Sequence, residues 1–467
     1  MTASGFRIEH DLLGKRAVPA YALYGIHTLR AVENFPISGV TVGRFPDLVN
    51  ALGAVKQAAA LANRELGVLA HPKADAIVAA CAELRSGAWH EQFVVDMIQG
   101  GAGTSTNMNA NEVVANRALE LMGHARGEYA MLHPNEDVNL SQSTNDVYPS
   151  ALRLALHAGG IRLLDALASL RAACEDRAQA FSGMLKMGRT QLQDAVPMTL
   201  GQEFAGYAAM MAGDERALRH ALSGLLEINL GGTAIGTGIN APPGYATLVC
   251  RTLAGLTGLE LTTAPDLVAA TQDTDALVAL SAVLKRIAIK LSKICNDLRL
   301  LSSGPRAGLG EIVLPPMQAG SSIMPGKVNP VIPEVVNQIA FEVIGNDLTV
   351  CMAAEAGQLQ LNAFEPVIVF SLFKSLAHLE AGCRTLEMRC ISGIAANHVA
   401  LRDSVHASIG LVTALSPILG YGRAGALARD ALESGRGVVE LVLEQELMSA
   451  AQLDEALRPD RLTGAAH

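Results

Sequence analysis

The sequence predicts a mainly all-α protein, a central bundle of long helices flanked by smaller N- and C-terminal domains. Three observations carry that prediction. Across residues 274–303, Leu277, Leu280, Leu284, Ile287, Leu291, Ile294, Leu298 and Leu301 recur at alternating spacings of three and four, a sustained helical seam. Half of the 467 residues are hydrophobic, yet only 4% are aromatic and 17% charged, so the core is built from Ala, Leu, Val and Ile, as closely packed helices require. The central region shows no run of strand-like alternation. A helix of about thirty residues is about 45 Å long. One compact domain cannot bury such a seam, so it calls for a bundle, shared between subunits in a closed symmetric assembly. The expected domains are 1–143, mixed and helical, 144–400, the long-helix bundle, and 401–467, a small helical unit.

In chain order, a polar opening segment precedes helical patterns at 45–66 and 73–84. The segment Gln99-Gly-Gly-Ala-Gly-Thr-Ser-Thr-Asn-Met-Asn109 then leads into a helix over about 111–122. Its Ser, Thr and Asn residues read first as N-caps. The other reading is a pocket of hydroxyl donors with Thr104 deepest among the glycines. A second cluster, Ser141-Gln-Ser-Thr-Asn-Asp146, precedes Tyr148-Pro149 and a long apolar-periodic stretch. Asp146 reads as the N-cap with Pro149 in the first turn, which leaves Ser143, Thr144 and Asn145 as adjacent small donors suited to holding a carboxylate.

In a third cluster, Gly188-Arg-Thr-Gln-Leu-Gln-Asp-Ala-Val-Pro197, Thr190 and Gln191 are neutral hydrogen-bonding groups in a capped turn before a helix start at 197–201. The glycines of Gly231-Gly-Thr-Ala-Ile-Gly-Thr-Gly238 have neither the Lys nor the spacing of a phosphate loop and read as a turn. Less regular helical periods run through 151–181, 198–228 and 332–356. Beyond residue 400 the pattern shortens to 404–415, 425–433, 437–446 and 450–457, and no chemistry is assigned there.

The stretch Gly320-Ser-Ser-Ile-Met-Pro-Gly-Lys-Val-Asn-Pro330 has no helical or strand period and reads as a loop before a helix start with Pro333 and Glu334 in its first turn. The helix N-terminus and Lys327 together make an anion site. A plain surface connector is the alternative on these features alone.

Composition excludes several classes. A net charge of −9 and a pI near 5.8 argue against a nucleic-acid partner. No apolar run has the length of a membrane span, since 363–373 is short and broken by Glu365-Pro366, and the N-terminus has no secretory signal pattern. Seven scattered Cys without a Cys-x-x-Cys pair fit reduced core thiols in a cytoplasmic protein. Metal, Walker and dinucleotide fingerprints are absent, so no metal or other cofactor is expected, and activation by a divalent cation leaves no mark in a sequence.

The loop at 320–330 resembles, position for position, the signature loop of the aspartase/fumarase superfamily, and the similarity runs from Arg7-Ile-Glu-His-Asp-Leu-Leu-Gly14 to about residue 415. The resemblance implies a tetramer whose sites are each built by three chains, and proton abstraction next to a carboxylate of a small dicarboxylate or amino-acid substrate. Ser321 would be the base that takes the C3 proton, and its alkoxide would need the backbone N–H groups of Gly320 and Ser322 and the charge of Lys327. Thr104, Ser143, Thr144 and Ser322 would hold the β-carboxylate, and Thr190, Lys327 and Asn329 the α-carboxylate. Asn145 and Gln191 would sit by the amino group.

Three comparisons favour loss of ammonia from L-aspartate, giving fumarate, over loss of water. The superfamily's fumarate hydratases generally carry His at the position of Gln191 and Ser-Ser-Asn-Asp at 143–146, and differ from Gly357-Gln-Leu-Gln-Leu-Asn-Ala-Phe-Glu-Pro366. His also occurs at the first position among ammonia-lyases, so the other two carry more. The alternatives are a fumarate hydratase and a catalytically silent structural relative such as the superfamily's lens crystallins. An intact Ser321, Lys327 and Asn329 speak against the silent relative.

Overall fold

The computed structural model describes residues 5–463. A hairpin of β1 (Phe6–Asp11) and β2 (Gly14–Pro19) opens the chain, paired in register from Phe6 opposite Pro19 to Asp11 opposite Gly14. Helices α1 (Ile26–Asn34), α2 (Pro46–Glu65), α3 (His71–Arg85) and α4 (Thr104–Leu121) follow. The 45–66 and 73–84 patterns thus correspond to α2 and α3. Helix α4 starts seven residues before the expected 111, because the apolar period begins only after a polar first half that is nonetheless helical.

Next come α5 (Thr144–Ala180), a hairpin of β3 (Leu185–Thr190) and β4 (Gln193–Thr199), and α6 (Leu200–Gly224). Then follow β5 (Glu227–Ile228), α7 (Tyr245–Thr257), β6 (Thr262–Thr263), which pairs parallel with β5, α8 (Leu267–Gln272) and α9 (Asp275–Leu301). Strand β7 (Ile312–Val313), α10 (Val331–Glu355), α11 (Glu365–Arg389) and β8 (Ala395–Ala396), antiparallel to β7, complete the long-helix region. Five short helices and a terminal turn close the chain: α12 (His398–Ala407), α13 (Leu411–Leu419), α14 (Tyr421–Ser434), α15 (Val438–Glu444), α16 (Ala450–Ala456) and α17 (Pro459–Leu462).

The fold is mainly helical, as predicted, with one correction in the centre. Residues 185–199 form a hairpin, where a helix start at 197–201 after a capped turn was expected. Pro197 lies within β4, and the helix begins three residues later at Leu200. All eight seam residues of α9 are buried, none more than 5% exposed. The charged residues of its other faces are paired: Lys285 Nζ lies 2.6 Å from Asp347 Oδ2, and Lys290 Nζ 2.7 Å from Asp214 Oδ1. Among the described residues, one helical stretch, Glu365–Gly393, is by length and composition apolar enough to cross a membrane, where the sequence reading found none. With 61% of that window buried inside the protein, it serves as a core helix.

The chain forms two compact units. The first comprises the chain up to Leu164, Ala217–Arg286 and Glu342–His378. The second comprises Asp165–Arg216, Ile287–Phe341 and the chain from Leu379 onward. In the second unit, Met187 of β3 packs into a core with Val405, Leu411, Leu415, Leu427 and Leu441, so the C-terminal helices seat against the hairpin. Cys351 is exposed and the other six thiols are buried, as small core residues.

Candidate active site

Four of the predicted site residues lie in the first unit. Thr104 is the first residue of α4, and its Oγ1 donates to the Gly101 carbonyl at 2.7 Å. Gly103, just before it, has φ +87°, and a Cβ there would stand 2.2 Å from the buried Tyr148 ring, so only glycine lets the loop lie on that ring. Thr104 is not deep among the glycines as expected: the early start of α4 puts it on the exposed side of the first turn. One turn along, Asn107 Nδ2 donates to Thr144 Oγ1 and to Asn139 Oδ1, each at 3.1 Å, tying the start of α4 to the start of α5.

Asn139 Oδ1 also accepts from Asn111 at 3.2 Å and from Lys56 Nζ at 2.9 Å. Lys56 is wholly buried, and burial pushes its ammonium down to about 7 against the pull of Asp146. Asn139 and Lys56 escaped the sequence reading, and Asn107 reads there only as a capping residue. Two lie inside helices and the third in a loop, and their convergence leaves no local signature.

At the start of α5, Ser143 rather than Asp146 is the N-cap. Its Oγ accepts from Asn145 N at 3.2 Å, while Asp146 Oδ1 reaches back to Ser143 N at 2.9 Å, the acidic half of a capping box.

The other six predicted residues lie in the second unit. Thr190 ends β3 opposite Gln193, so Gln191 and Leu192 form a two-residue hairpin turn with φ of +53° and +63°. Positive φ at two consecutive non-glycine residues is strained, and such strain collects where a loop must present particular side chains. The hairpin is anchored beneath: buried Glu311 lies 2.6 Å from Arg189 Nη1 and 3.0 Å from Lys186 Nζ, and Lys186 also meets Glu203 at 2.6 Å. This ionic anchor was not legible in the sequence, where these charges are far apart.

In the loop, Ser321 Oγ accepts from the backbone N–H of Ile323 at 3.2 Å and of Met324 at 3.3 Å. These two N–H groups replace those of Gly320 and Ser322, because the loop curls forward over the hydroxyl. A Cβ on Gly320 would fall 1.1 Å from the Lys327 carbonyl oxygen, so the two ends of the loop touch only because residue 320 has no side chain. Lys327 and Asn329 line a cavity of about 580 Å³ with Arg299, Ser302 and Glu334. Glu334 sits in the first turn of α10, with Arg299 Nη2 3.9 Å from its carboxylate.

Among the described residues, the side chains of Thr190, Gln191, Ser322, Lys327 and Asn329 have no hydrogen-bond or ion-pair partner in the chain, so their polar groups are available to a ligand. A larger cavity of about 1040 Å³ opens between β4 and α13–α14, and none of the predicted site residues lines it. Among the described residues, no group of three or more His, Cys, Asp or Glu side chains is placed to hold a metal ion.

Neutral donors, one unpaired ammonium and a serine whose oxygen accepts two N–H groups suit binding carboxylates and stabilising negative charge that develops during proton abstraction. Comparisons with known proteins identify the family. The family described as "Lyase" matches residues 14–345, and "Fumarase C C-terminus" matches 411–464. The aspartate ammonia-lyase of Pseudomonas canavaninivorans is 60% identical over 462 residues, covering 99% of this chain and 98% of that protein. That of Escherichia coli K12 is 53% identical over 466 residues, covering 100% and 98%. Among solved structures, a Brucella melitensis fumarate lyase/delta crystallin bound to cobalt has a TM-score of 0.95 at 55% identity, with 98% of this chain and 99% of that chain covered. A class II fumarase from Schistosoma mansoni has a TM-score of 0.93 at 34% identity, with 99% and 100% covered. With its fold, its loop at 320–330 and its relatives in agreement, the chain belongs to the aspartase/fumarase superfamily of lyases.

Proposed function

We propose that this protein catalyses the reversible deamination of L-aspartate to fumarate and ammonia, as an aspartate ammonia-lyase. The observation that carries the reading is the set of unpaired polar side chains on the 190–191 turn and on the 320–330 loop that holds Ser321, in a chain 53–60% identical to aspartate ammonia-lyases over nearly its whole length. Identity to the fumarase structure is lower, at 34%.

In the proposed reaction, Ser321 as alkoxide takes the C3 proton, and the electron pair left on carbon moves into the β-carboxylate to give an aci-carboxylate. Ser143, Thr144 and Ser322 donate to that charge, joined by Thr104 once its hydroxyl turns from the Gly101 carbonyl. The pair then returns to form the C2–C3 double bond as the C2–N bond breaks, and ammonia leaves. Thr190, Lys327 and Asn329 hold the α-carboxylate throughout, and Asn145 and Gln191 accept from the amino group.

The test is a comparison of substrates, with fumarate read by ultraviolet absorbance. Fumarate is expected to form from L-aspartate, and faster than from L-malate. The reverse order would assign the protein to water loss, and no fumarate from either would make it a silent relative.

The proposal includes a homotetramer with sites shared between chains, in the cytoplasm. Along α10, Val335, Phe341, Ile344, Leu348 and Met352 point outward, from 39% to 65% exposed, an apolar face that the described residues do not cover. Thr144→Val and Ser321→Ala are each expected to be inactive alone. If one site takes these residues from different chains, randomly mixed hybrids pair an intact copy of each in about a quarter of sites. Co-refolding equal amounts of the two variants is therefore expected to restore up to about that fraction of wild-type activity. No recovery in demonstrably mixed hybrids would mean that one chain supplies both.

A further inference from the structure

The glycine-rich segment 231–238 has no part in the reaction as described, yet it is bound to the start of α5 at three points, and Asn229 just before it adds a fourth. Asp146, wholly buried, accepts through Oδ2 from Gly231 N at 3.0 Å and Thr233 N at 2.9 Å, while its Oδ1 holds Ser143 N. Asn229 Nδ2 donates to the Asn145 carbonyl at 2.9 Å. Asn145 Nδ2 donates in turn to the Ala234 carbonyl at 2.7 Å.

The segment itself is wedged in place. A Cβ on Gly231 would lie 2.5 Å from Ala246 of α7, and one on Gly236 would lie 2.4 Å from the backbone of Leu267 in α8. Thr233 has φ +55°, a costly conformation for a β-branched residue, and its N–H is one of the three held by Asp146.

The contact with Ala234 decides which way the Asn145 amide faces. A carbonyl oxygen only accepts, so the atom against it must be Nδ2. That leaves Oδ1 as the free end, and among the described residues nothing donates to it. An ammonium offers only N–H donors, so a fixed acceptor is the group it needs.

We infer that Asp146 and the 231–238 turn form a clasp that positions Asn145 with its acceptor oxygen toward the substrate's amino group. Asp146 is thus a positioning residue acting through Asn145. Burial lifts its carboxyl to about 6, and the three N–H groups oppose that rise, so at neutral pH the carboxylate can accept from all three. The inference rests on the proposed placement of Asn145 by the amino group.

The test is a double-mutant cycle in the amination direction, on the full-length enzyme, with ammonium and fumarate varied separately. Asp146→Asn turns one of the two acceptor oxygens into a donor. It is expected to raise the KM for ammonium tenfold or more. In an Asn145→Ala background the same substitution is expected to leave that KM unchanged, whatever it does to the KM for fumarate through Ser143. Asn229→Ala, which removes the donor to the Asn145 carbonyl, is expected to behave in the same way and serves if Asp146→Asn does not fold. A soluble variant with wild-type ammonium KM, or an effect as large without Asn145 as with it, would overturn the clasp. Absence of amination by the wild type would instead defeat the deamination reading itself.

Discussion

Ser321→Ala is expected to lower kcat by about three orders of magnitude or more, with a smaller change in KM. General-base contributions are typically of order 10²–10⁴, and the loss of a positioned base acts on the transition state rather than on substrate binding. A serine hydroxyl is a weak base unless its alkoxide is stabilised, and Ser321 Oγ already accepts from two backbone N–H groups, those of Ile323 and Met324. Those donors are part of the backbone, so they remain in the Ala variant with nothing to stabilise. Steady-state assay with L-aspartate measures the effect. An Ala variant that keeps a tenth of wild-type turnover would exclude Ser321 as the base.

Lys327→Met is expected to raise KM for L-aspartate strongly and to slow turnover as well. A hydrogen bond to a charged group is worth about 1.5–3 kcal/mol, which corresponds to roughly tenfold to more than a hundredfold in binding. Met keeps much of the length and apolar stem of Lys while removing the charge, so the change isolates the ammonium. Lys327 pairs with no carboxylate among the described residues and lines the cavity it shares with Asn329, so no internal ion pair is lost with it. An unchanged KM would place Lys327 outside the substrate site.

The sequence by itself determined the helical architecture. Periodicity is a local property, and the spacing of the α9 seam needs no partner to be recognised. The same holds for the 320–330 loop, where Gly, Pro, Ser, Lys and Asn within eleven residues exclude regular structure. Boundaries failed where polar residues are helical, as in the first half of α4, because capping residues and early helix residues share a composition.

The tertiary structure decided what depends on residues far apart in the chain. The turn at Gln191 and Leu192 contains no Gly, Asn or Asp, so the residues that ordinarily announce a hairpin are missing. Its conformation is held instead from below, where Glu311 meets Arg189 and Lys186 more than a hundred positions away in sequence. The direction of the Asn145 amide is set in the same way, by the carbonyl of Ala234. Hydrogen bonds and ion pairs of this kind form only once packing has brought their partners together, and burial then makes an unpaired partner too costly to leave.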